Sequence, residues 1–131
     1  MALRYSLTLL PEPLAVCRLD AGEPVPVWAT ASAWWSITRT PEELSVVCAE
    51  ALVPAGVSAS RGWRALRFAG PLPLDQTGIL ASVTGPLAAA RISVFAVATF
   101  DTDYVLIPDA QRPAAIEALE HAGHRVGSPG Y

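Results

Sequence analysis

Residues 75–108 read DQTGILASVTGPLAAARISVFAVATFDTDYVLIP, and two periods meet in them. Over 78–90, Ile79, Leu80, Val83, Leu87 and Ala90 fall at helical spacing. Asp75 and Thr77 stand just ahead of that run, where a helix needs an N-cap. Gly85-Pro86 inside it predicts a kink or a break. From Ile92 the pattern changes to ISVFAVATF, apolar on both faces and so expected as a central, covered strand. TDYVLIP then alternates, as a half-buried strand does.

Working outward, Asp109 can cap a second helix that has Pro113 in its first turn and Ile116 and Leu119 on its inner face. Gly123 is a natural stop for that helix, and HRV (124–126) is a short last strand. On the upstream side WRALRFAG (63–70) alternates as a strand. The order from residue 63 is therefore β-α-β-β-α-β. That is an α+β, ferredoxin-like arrangement, the split βαβ, with two helices on one face of a four-stranded antiparallel sheet. Before it come four strand-like runs: 5–10, 14–19, 34–40 and 44–52. VPAGVSASRG (53–62) reads as a loop and marks the boundary. Residues 1–60 are thus expected to form a strand-rich, incomplete copy of the unit that 61–131 completes.

The chain has 131 residues, 52% of them hydrophobic and 16% charged. The charged share is below the ~25% typical of soluble domains, so part of the surface is expected to be covered, by default in a homodimer. Net charge is −3, and all nine basic residues are arginine. The absence of lysine removes a Walker A loop, Schiff-base chemistry and a pyridoxal phosphate site. A mildly acidic chain is a poor partner for nucleic acid or an anionic membrane. The N-terminal apolar run is broken by Pro11 and Pro13 and does not read as a signal peptide. The longest apolar stretch, PLAAARISVFAVATF, carries Arg91 and is shorter than the ~20 residues a membrane helix needs. A cytoplasmic location is expected. Cys17 and Cys48 lack CxxC spacing and read as buried free thiols, with no metal or other cofactor implied.

The stretch quoted at the outset resembles the ACT domain, a small-molecule-sensing ferredoxin-like module. The resemblance rests on Asp75, on Gly78-Ile79-Leu80 opening a helix, and on Ile92-Ser93-Val94 after it. TFDTDYVL (99–106) and WWSITRTPEELSVVC (34–48) resemble the branch found in aspartate kinase regulatory regions and in the cytosolic arginine sensors called CASTOR proteins. The resemblance implies a regulatory, non-catalytic protein that binds a free amino acid at an interface between paired ACT units. It implies a site made of Asp75, Gln76, Thr77, Gly78 and Ile79 with Thr99, Phe100 and Asp103.

The chemistry of these residue types is compatible with such a ligand. A helix start offers unpaired N–H groups to a carboxylate, and an aspartate offers a charge-assisted bond to an ammonium. Strand order is expected to put the Thr99–Asp103 corner across the sheet from the Gly78 loop of the same chain, so that the two meet only across an interface. Asp101 and Asp103 are equally ordinary turn residues. Two other functions stay open: a dimeric interaction module without a working ligand site, and an enzyme using Asp101 and Asp103 as paired carboxylates or Cys48 with a histidine. His121 and His124 flank a helix end, where a cationic histidine is favoured by the dipole.

Overall fold

The structure, a computed structural model, describes residues 3–128. Its strands are β1 (Ser6–Leu9), β2 (Leu14–Leu19), β3 (Ser36–Arg39), β4 (Leu44–Ala49), β5 (Ser58–Phe68), β6 (Phe95–Ala98), β7 (Asp103–Pro108) and β8 (Arg125–Gly127). Its helices are α1 (Ile79–Ala89) and α2 (Arg112–His121). Two compact units are present: Met1–Pro11 with Arg64–Tyr131, and Glu12–Trp63.

The helical unit contains the expected β-α-β-β-α-β order as β5, α1, β6, β7, α2 and β8. Its sheet has five strands rather than four, in the order β6-β7-β5-β1-β8. The added strand is β1, antiparallel to β5 (Leu7 opposite Phe68) and parallel to β8 (Leu7 opposite Val126). Alternation explains its place. Leu7 points into the core with Leu66, Phe68, Val83, Val105 and Leu119, while Ser6 stays exposed.

The Glu12–Trp63 unit has no α-helix among its described residues. β3, β4, β2 and the first part of β5 pair antiparallel in that order, around a core that includes Cys17, Leu44, Val46, Cys48 and Val53. Residues 58–62, expected in a loop, are strand. Their Ser, Ala and Gly content hides a pairing supplied by β2, where Val16 opposes Ser60. Cys17 and Cys48 are buried free thiols, as expected.

Further local expectations need correcting. β6 is an edge strand, not a central one, and its Ala96 and Ala98 are exposed. Alanine is apolar in a sequence pattern yet costs little when exposed. Neither Asp75 nor Thr77 caps α1. The N-cap is Gly78 at φ 82°, with no side-chain cap bond, a left-handed conformation that glycine adopts without steric cost. Asp109 does not cap α2 either; its carboxylate accepts from Arg64 at 3.2 Å and Arg112 at 2.7 Å.

α1 continues through Pro86. A proline supplies no N–H to the carbonyl four residues back, which here belongs to Ser82. His124 takes over that carbonyl, with Nε2 2.8 Å from Ser82 O. Its Nδ1 accepts from the Tyr5 N–H at 3.0 Å, which leaves the ring proton on Nε2. His124 is therefore a buried backbone bridge rather than a helix-end cation.

Both helices end in the same hydrogen-bond motif. Gly123 (φ 99°) stops α2, with His124 N bonding Leu119 O and Gly123 N bonding Glu120 O. α1 repeats the pattern, with Ile92 N to Leu87 O and Arg91 N to Ala88 O, and its left-handed position holds Arg91 at φ 61°.

Candidate functional site

β6 and β7 form a tight hairpin whose last pair is Ala98 opposite Asp103. Thr99 and Thr102 close it. Thr99 N donates to Thr102 O at 2.8 Å, Thr99 Oγ1 donates to the same carbonyl at 2.9 Å, and Thr102 N donates back to Thr99 Oγ1. Phe100 and Asp101 form the tip, and Phe100 is 79% exposed.

The hairpin tip sits against the end of β5. Thr102 Oγ1 donates to Phe68 O at 2.7 Å, and Leu72 N donates to Asp101 O at 2.6 Å. Gly70 permits this approach, since a Cβ there would lie 3.1 Å from Asp101 O and 3.2 Å from Thr102 Cβ. β5 and β6 thus finish at the same edge of the sheet. The loop that follows β5 leads into α1, so the start of α1 and the Thr99–Asp103 corner are neighbours in one chain.

That neighbourhood corrects the expectation that the two segments meet only across an interface. Together they line one groove of about 320 Å³, at the lower end of the ~300–1,000 Å³ of small-molecule sites. One wall carries Gln76, Gly78 and the first turn of α1, Ile79 to Ala81; the facing wall carries Ala98, Thr99, Phe100 and Asp103. Leu72 and Leu74 lie along the groove, and Leu74 is 69% exposed. Asp75 and Thr77 are exposed and do not line it, and Asp101 does not either.

The polar equipment of the groove is simple. The first intrahelical bond is Ser82 N to Gly78 O, so the N–H groups of Ile79, Leu80 and Ala81 have no intrahelical acceptor. No side chain caps them. Asp103 is half-buried on β7, on the same side as the core residues Val105 and Ile107. Its carboxylate has no hydrogen-bond or ion-pair partner among the described residues. An anion-seeking helix start therefore shares a space with an unpaired carboxylate.

Sequence reasoning missed Leu72, Pro73, Leu74, Leu80, Ala81, Ala98 and Thr102 as lining residues. The helical spacing could have pointed to Leu80 and Ala81, which must share the first turn with Ile79. No group of three or more His, Cys, Asp or Glu side chains able to hold a metal exists among the described residues. No helix among them is long and apolar enough to cross a membrane.

The ACT domain model matches residues 58–121, and a model of an N-terminal domain matches 12–56. Over 72 residues the chain is 40% identical to the cytosolic arginine sensor for mTORC1 subunit 1 of Bos taurus. That match covers 54% of this chain and spans 22% of the length of the relative. Among solved structures, protein Atu0741 from Agobacterium tumefaciens is 37% identical with a TM-score of 0.93, covering 99% of this chain and 97% of that one. The regulatory subunit of aspartate kinase from Thermus thermophilus shares the fold at 15% identity, with a TM-score of 0.59 over 86% of this chain and 93% of its own. The stretch that the ACT model matches carries β5, α1, β6, β7 and α2 of the βαββαβ unit, and residues 58–121 belong to the ACT domain family.

Proposed function

We propose that the chain is a non-catalytic, cytoplasmic regulatory protein that binds a free amino acid in the groove between α1 and the β6–β7 hairpin. The ligand carboxylate takes the open N–H groups of the first turn of α1, where the helix dipole also favours negative charge. The ligand ammonium pairs with Asp103 through a charge-assisted hydrogen bond. Gly78 keeps the helix start free of a side chain, and Gln76, Ile79, Thr99 and Phe100 complete the walls. The observation that carries this is the pairing of an uncapped helix start with an unpartnered carboxylate across about 320 Å³. The arginine sensor among the relatives supports the ligand class, since its name states that it senses an amino acid.

In this proposal a second ACT unit, from another copy of the chain, closes the open side. Phe100 and Leu74, exposed at the rim, are the apolar surface such a cover would bury, and Asp75 and Thr77 face it. The Glu12–Trp63 unit, without β1, is proposed as an incomplete unit of the same type, a view supported by its antiparallel strands without an α-helix among the described residues.

A thermal-shift screen with the standard amino acids at millimolar concentration tests the function. Ligand at about a hundred times its dissociation constant stabilises the fold by ~2.7 kcal/mol, a melting shift of several degrees for a domain this size. Asp103→Ala should abolish the shift and leave the apo melting temperature nearly unchanged, because its carboxylate holds no other group. The exposed Phe100 and Leu74 also favour a second function, a dimeric interaction module. A dimer in sedimentation with no amino-acid shift decides for that one.

A further inference from the structure

The groove's polar groups limit which amino acid it takes. Asp103 is the one charged residue among those lining it, and the proposed site, on which this step rests, commits it to the ligand ammonium. Both threonine hydroxyl protons are already committed, Thr99 Oγ1 to Thr102 O and Thr102 Oγ1 to the Phe68 carbonyl, which leaves these oxygens only as neutral acceptors. The Gln76 amide nitrogen donates to the Tyr5 hydroxyl at 3.3 Å, which leaves one N–H and the amide oxygen, both neutral. The α1 N–H groups are taken by the ligand carboxylate. Besides these neutral groups, what meets a ligand side chain is mostly apolar, with Leu72, Leu74, Leu80, Ala98 and Phe100 among it.

We infer that the groove selects an α-amino acid with an aliphatic side chain, in the class of leucine, isoleucine, valine and methionine, and discriminates against arginine and lysine. An aliphatic side chain gains by burying apolar surface against these walls. A guanidinium or ammonium placed there loses its hydration and finds no second carboxylate, which makes burial of the charge unfavourable. Asp75 and Asp101 do not supply one, since neither lines the groove. The chain thereby differs in ligand from the arginine sensor to which it is related.

Calorimetric titration of the full chain with leucine, isoleucine, valine, methionine, arginine and lysine tests this. The best aliphatic ligand should bind about tenfold or more tighter than either basic one, the scale on which an apolar pocket discriminates. Its binding should be lost in Asp103→Asn. Leu74→Glu, at an exposed position on the groove, should weaken the aliphatic ligand and raise the affinity for arginine. Arginine or lysine binding tightest, and depending on Asp103, overturns the side-chain selection and leaves the amino-acid site standing. No binding by any of the six, with a positive control in another amino acid, also overturns the selection. No binding by any standard amino acid overturns the amino-acid site itself.

Discussion

Replacing His124 by phenylalanine should destabilise the fold by about 2–4 kcal/mol, and the loss should depend on Pro86, 38 residues (124 − 86) away in sequence. The imidazole is 5% exposed and satisfies two backbone groups, the Ser82 carbonyl and the Tyr5 N–H. Leaving a buried donor or acceptor unpaired costs about 1–3 kcal/mol each; the phenyl ring keeps most of the volume and offsets part of that. The Ser82 carbonyl needs His124 because Pro86 cannot donate to it. Pro86→Ala restores an N–H at that position. In the Pro86→Ala background, His124→Phe should therefore cost about 1 kcal/mol less, one net hydrogen bond. Urea unfolding of the four proteins in a double-mutant cycle reads this coupling. Costs that add to within ~0.5 kcal/mol, the tolerance for independent sites, would refute the link between the proline and the histidine.

Three further substitutions probe backbone and thiol chemistry. Arg91→Gly should raise stability by about 0.5–1 kcal/mol: φ 61° strains a residue with a Cβ, while glycine's greater chain entropy returns part of the gain. Gly123→Ala at the matching position of α2 should lower it by about 1–2 kcal/mol, with φ 99° and a Cβ 3.0 Å from Arg4 Nε. Opposite signs in the two melting temperatures are required; equal signs would remove left-handed strain as the cause. Burial, then the neighbouring Cys17, push the Cys48 thiol from 9.0 up to about 11. The unfolded chain releases that proton first, so unfolding free energy should fall as pH rises from about 9 toward 11. Denaturant midpoints at pH 8 and 10 should differ for the wild type and differ less for Cys48→Ala.

The parts of the fold that were legible are those with a local cause. Helical spacing around Val83 and Leu87 located α1, alternation located β7, and Gly123 marked the end of α2, because a glycine just past a periodic run stops a helix. The end of α1 gave no such sign, since Arg91 takes the left-handed position there and only the bonds from Ile92 and Arg91 reveal it. β6 was read as covered because apolar periodicity does not separate an exposed Ala96 from a buried valine. The first half of β5 was hidden for the converse reason: Ser58, Ala59 and Ser60 have weak strand preference, and β2 supplies the pairing.

The site divides along the same line. Gln76, Gly78, Ile79, Thr99, Phe100 and Asp103 could be singled out as residues, but their assembly within one chain depends on where strands end, which no residue type encodes. β5 and the strand after its crossover helix, β6, lie on either side of β7 and run toward a common edge. The loop entering the helix and the turn leaving the second strand then share that edge. Here the Thr102 hydroxyl on the Phe68 carbonyl fastens the turn to the end of β5. Half of the groove's polar chemistry is backbone N–H at the start of α1, available because Gly78 brings no capping side chain. The side chains at 79–81 can therefore change without removing those donors, provided the helix persists. Asp103 has no such substitute, and this asymmetry makes it the residue on which binding should most depend.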